Sequence, residues 1–180
     1  MYGYEDMTPP LREYSARPAI LAATLAMLLS ACQEPNQPAP EVGLVAVAEA
    51  DRQRELGVLE ACNLEMAASD DAPAFTARMG RPITVSGWIA NAGGDQPAAL
   101  PVLRLARIGG PGVWEFALTT GEDRPDVAQG RMAPGLASSG FHAEIPVEGL
   151  AAGDYSLVLL EKSEPQWLAC DNGRVLRVVE

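Results

Sequence analysis

The stretch Gly140-Phe141-His142-Ala143-Glu144-Ile145 sets apolar and polar side chains in alternation. A period of two belongs to a β-strand with one buried face, because successive side chains point to opposite sides. Phe141, Ala143 and Ile145 are expected to face a core, and His142 and Glu144 the solvent. Outward from this stretch, the chain from Val58 onward breaks into short apolar runs separated by Gly, Pro, Asn and Asp. The runs cover 58–66, 74–77, 83–91, 102–108, 113–119, 140–147, 155–161, 167–170 and 175–179. Short strands at this spacing predict an all-β sandwich or barrel. Gly109-Gly110-Pro111-Gly112 reads as a tight connection between two of them. No long stretch after Leu56 has the 3.6-residue period of a helix, which argues against a parallel α/β sheet. The segment VGLVAVAEADRQREL at 42–56 has no clean period. It reads equally as a short helix with a charged end or as a strand followed by a turn.

Leu150-Ala151-Ala152-Gly153-Asp154-Tyr155, followed by SLVLLE, resembles the corner of immunoglobulin-like and fibronectin-like domains. The resemblance implies that Tyr155 opens a late strand and that its hydroxyl ties down the preceding turn. Trp88, in ITVSGWIANA, stands where such a domain keeps a core tryptophan. A wider pattern joins Ile83-Thr84-Val85-Ser86-Gly87-Trp88, Arg124-Pro125-Asp126-Val127-Ala128, Ser139-Gly140-Phe141 and Gly153-x-Tyr155. This order resembles β-sandwich modules appended to bacterial glycosyltransferases and found in some envelope proteins. Those modules are accessory, so the resemblance implies an immunoglobulin-like antiparallel β-sandwich over 58–180 and no catalysis.

The N-terminus reads as an address. Arg12 and Arg17 precede the apolar run AILAATLAMLL (Ala19 to Leu29), then Ser30, Ala31 and Cys32. A positive flank, a short apolar stretch and small residues make a secretory signal peptide. The run is shorter than the roughly 20 residues that span a bilayer. Leu29-Ser30-Ala31-Cys32 resembles the lipobox of bacterial lipoproteins. The resemblance implies that the leader 1–31 is removed and that Cys32 carries a covalent lipid, with no other cofactor expected. In many Gram-negative bacteria an aspartate after the lipidated cysteine retains the protein at the inner membrane. Gln33 at that place implies the outer membrane, facing the periplasm or the surface. Gln33 to Glu41 holds three prolines and no large apolar residue, the composition of an extended tether. Residues 32–57 then comprise the lipidated cysteine, the tether and the ambiguous segment. With Cys32 assigned, Cys62 and Cys170 remain. In an oxidising compartment a disulfide is the default for them, and two buried free thiols are the alternative.

The chain has 13 basic and 24 acidic residues, a formal net charge of -11. That argues against a nucleic-acid partner, since phosphate neutralisation needs cations. The leader removes Arg12, Arg17, Glu5, Asp6 and Glu13, so the acidity belongs to the exported part. The lone histidine, His142, excludes a multi-histidine metal site, and no metal ligand set is expected. His142 with Glu144 forms a nominal acid–base pair, but the strand pattern places both on a solvent face. Ser138-Ser139 lacks the nucleophile-elbow frame, GGPG lacks the ending of a phosphate loop, and no EF-hand pattern occurs.

Four residues are candidates for binding. Arg124 and Asp126 can form a polar clamp, Arg as a forked donor and Asp as an acceptor. The alternative is local structure: Pro125 at a helix start, Asp126 bonding backbone N–H groups and Arg124 pairing with Asp126. Trp114 and Trp167 are candidate stacking platforms, against core or edge packing. The function expected is a lipid-anchored envelope protein acting as a non-catalytic binding or structural module for an envelope protein or a surface polysaccharide. An accessory lipoprotein of an export, secretion or polysaccharide-assembly complex is a second reading. A small hydrolase comes last, because no residue set takes defined catalytic roles.

Overall fold

The computed structural model describes residues 43–66, 74–163 and 165–180. The leader, Cys32 and the proline-rich tether lie outside them. The described residues form ten strands in two sheets, with two short helices. The strands are β1 (Val45–Ala46), β2 (Leu56–Val58), β3 (Cys62–Met66), β4 (Ala74–Arg78), β5 (Ile83–Ile89), β6 (Pro101–Arg107), β7 (Val113–Ala117), β8 (Gly140–Ile145), β9 (Gly153–Ser163) and β10 (Gln166–Val179). Helix α1 is Glu49–Arg52, and α2 is Pro125–Gly130, followed by a 3₁₀ turn at Pro134–Ser138. The larger sheet runs β1-β7-β6-β9-β10-β2, with β4 also on β10, and the smaller runs β3-β5-β8. This is the all-β sandwich expected from the sequence. Its pairing is antiparallel except where β2 and β4 run parallel to the two halves of β10.

Alternation builds the core. In β8, Phe141 and Ile145 are buried, Ala143 packs against them, and His142 and Glu144 are exposed. Facing them from the larger sheet are Leu103, Leu105, Tyr155, Leu157, Leu159 and Leu176, all almost wholly excluded from water. Each such side chain contributes roughly 1.5–3 kcal/mol of apolar burial. The smaller sheet is covered on its outer side as well. Trp88 packs there with Ala61, Ala90, Val127 of α2 and Leu136 of the 3₁₀ turn. That is why Gly87, Trp88 and Ile89 are buried in succession, as a strand covered on both faces requires. Gly87 has no room for a side chain: a Cβ there would meet the Asn63 carbonyl oxygen and the Phe141 ring.

The segment at 42–56 is neither alternative alone. β1 pairs with β7 at one edge of the larger sheet and β2 with β10 at the other. Residues 47–55, including the single-turn α1, carry the chain between them. The Arg54 guanidinium lies 4.7 Å over the Trp167 ring, and Trp167 alternates with the core-facing Leu168 and Cys170. The crossing therefore ends on the outer side of the sheet, at Arg54. Folded structure thus begins ahead of Val58.

The sheets are joined covalently. Cys62 of β3 is bonded to Cys170 of β10, with a Cα–Cα distance of 6.3 Å. The register of β10 shifts between Cys170 and Arg174, so one long bulged strand replaces two shorter expected ones. The bulge is used: Asn172 Oδ1 accepts the Leu64 N–H at 2.9 Å, and Arg174 Nε donates to the Leu64 carbonyl at 3.2 Å. Two side chains of one sheet thereby satisfy an edge residue of the other.

Candidate functional site

Arg124 sits just before α2, with Pro125 at its first position, where a missing N–H costs nothing. Its Nε and Nη2 donate to Asp126 Oδ1 and Oδ2 at 2.9 and 2.8 Å. Its Nη1 and Nη2 also donate to Glu65 Oε2 and Oε1 at 3.3 and 3.0 Å. Two carboxylates thus hold one guanidinium. The hydrogen bonds from Arg124 lower the Asp126 carboxyl to about 2. The same bond to Asp126, helped by Glu65, raises the arginine above its usual value. A fork engaged on both sides is a structural clasp. It fastens α2 to β3 and leaves little for a ligand, so the local pairing, extended to Glu65, describes Arg124 and Asp126.

Neither tryptophan is an open platform. Trp114 packs against the core and meets Tyr155 edge-on, with ring centroids 5.7 Å apart. Trp167 is half-buried, with Arg54 over its ring. Tyr155 is wholly buried, and its hydroxyl donates to the Ala151 carbonyl at 2.7 Å. That is the tether across the preceding turn which the tyrosine corner implies. His142 and Glu144 lie on the exposed face of β8.

A different residue faces open space. Arg131, directly after α2, lines a shallow cleft of about 360 Å³ with residues 58–61 and 92–94. Its guanidinium lies 5.2 Å over the Trp88 ring, and its Nη2 donates to the Glu60 carbonyl at 3.1 Å. Among the described residues, no carboxylate pairs with Arg131. Arg52, Arg54, Arg104, Arg124 and Arg177 each hold at least one; among the described residues Arg78, Arg81 and Arg107 hold none either, and what sets Arg131 apart is that it lines the cleft. Two exposed apolar side chains accompany it: Val58, 80% exposed, in the cleft wall, and Met132, 90% exposed, next in sequence. Met132 has φ +54°, the one non-glycine residue with positive φ among those described. Sequence reasoning passed over Arg131 because nothing around it forms a motif; the fold alone brings Glu60 and Gly93 to it.

Glu161 is a buried acid at the end of β9, 4% exposed, with Oε2 unpartnered. Burial pushes its carboxyl up, and the Ala99 and Leu100 N–H groups pull the other way. Among the described residues, no group of three His, Cys, Asp or Glu side chains is placed to hold a metal ion. No helix among them is long and apolar enough to cross a membrane. No known protein family matches the chain, and no curated protein sequence matches it.

Proposed function

We propose that this protein is a lipid-anchored component of a bacterial cell envelope whose β-sandwich is a non-catalytic binding module. The anchoring half rests on Leu29-Ser30-Ala31-Cys32 behind an apolar leader, with the tether after it. The binding half rests on one observation. Arg131 stands at a cleft with no carboxylate partner among the described residues, in a chain whose acidic residues outnumber its basic ones by 24 to 13. An arginine held in place with donors to spare is suited to recognition. The cleft lies among connecting segments, where a rigid sandwich presents contact residues. The outer membrane is the proposed site, from Gln33.

Two forms of the protein test the anchoring. Intact mass of the membrane-extracted chain should show a diacyl or triacyl addition on a chain beginning at Cys32, and Cys32→Ala should release the protein from membranes. An unmodified thiol at Cys32 in a membrane-bound chain would overturn the assignment.

A further inference from the structure

We infer that the Arg131 cleft recognises an extended peptide segment of a partner protein that presents a carboxylate side chain beside an apolar one. This rests on the reading of the domain as a binding module and names what the module takes. Three observations converge on it. The guanidinium is oriented by the Trp88 ring and the Glu60 carbonyl, which leaves most of its five N–H donors for a planar anion. Among the described residues no carboxylate pairs with it, although Glu60 lines the same cleft, so its charge is open to an anionic side chain. Val58 in the cleft wall and Met132, next in sequence to Arg131, add exposed apolar surface.

Met132 strengthens the inference. A residue just past a helix end with positive φ is ordinarily glycine, which adopts that backbone at no steric cost. Here the position holds a long, flexible apolar side chain that contributes little to the core, since it is 90% exposed. Strain kept at an exposed apolar residue points to contact with something outside the fold. Methionine adapts its shape to varied apolar partners. The same geometry disfavours a saccharide: Trp88 is 9% exposed with Arg131 over it, and among the described residues no aromatic ring lines the cleft for sugar stacking.

The test is an immobilised array of pentapeptides with Asp or Glu at the centre and Val, Leu, Met or Phe on one or both sides. Each peptide stands beside its Asn or Gln twin. The array is probed with the detergent-solubilised full chain, and oligogalacturonate is spotted as a carboxylate-bearing saccharide. Acidic–apolar peptides should retain the protein at least about tenfold better than their amide twins, and Arg131→Gln should erase the difference. Met132→Gly should melt higher than the natural chain and yet be retained less, which separates contact from folding. Three results would overturn the proposal. If peptides are retained but Arg131→Gln changes nothing, the site is wrong while the binding-module reading stands. If no peptide is retained, that reading loses its peptide partner too. If oligogalacturonate is retained through Arg131 and the peptides are not, the ligand is a glycan.

Discussion

Replacing Tyr155 by Phe removes one hydroxyl and nothing else from the centre of the sandwich. The ring is wholly buried, and its edge contact with Trp114 survives the change. What disappears is the 2.7 Å hydrogen bond to Ala151. Ala151 is exposed, so its carbonyl regains water when the partner leaves. The cost is then the net worth of one good hydrogen bond, about 1–1.5 kcal/mol, without the penalty of an orphaned buried group. For a domain of this size the melting temperature should fall by roughly 3–7 °C. Urea unfolding should show a lower midpoint at unchanged slope, because the surface exposed on unfolding is the same. Tyr155→Ala also loses the ring and should cost about 3–5 kcal/mol. Tryptophan emission should stay the same in the Phe variant and shift to the red in the Ala variant. A Phe variant melting within about 1 °C of the natural protein would refute the corner as a fastening of this fold.

Three further outcomes follow from the geometry. Replacing Cys62 and Cys170 by Ser opens a loop spanning 108 residues and should cost about 2–4 kcal/mol, under a chain-entropy ceiling near 4.7. Both thiols labelling in the undenatured natural chain would refute the bridge. Trp167→Ala should lose about 1–2 kcal/mol, less than a core tryptophan, since the ring is half-buried. A double-mutant cycle with Arg54→Ala should show about 0.5–1 kcal/mol of coupling, and zero coupling would mean the stack does not form. Glu161, held above the usual carboxylate range by burial, keeps its proton to higher pH folded than unfolded. Its contribution is therefore present at low pH and is lost as pH rises through the folded-state value. Glu161→Gln should be the more stable form at neutral pH, with the gap closing in acid, and identical pH profiles would sink this reading.

Much of the sandwich was legible because its signals are local. The alternation of 140–145 and the Gly-x-Tyr turn each need only a few neighbouring residues, and both fold as read. What was illegible depends on distant partners. The 42–56 segment has no period because two of its residues pair at one sheet edge, its last, Leu56, opens β2 at the other, and a single helical turn lies between. One continuous run at 58–66 divides into the end of β2 and β3, because the chain changes sheets at 59–61. The Arg124 clasp shows the same limit. Asp126 is two residues away and visible in the local pattern, whereas Glu65 is 59 residues away and leaves no local signal. Arg131 carries no signature at all, since the cleft it lines is assembled from residues 58–61 and 92–94, far from it in sequence.

The most direct measurement is photo-crosslinking in living cells from a photoreactive residue at position 58 of the full-length chain. A discrete protein adduct is expected in the membrane fraction. That adduct should fade when Arg131 is changed to Gln and be absent when the photoreactive residue sits at position 177 instead. No adduct from position 58, or one indifferent to Arg131, would contradict it.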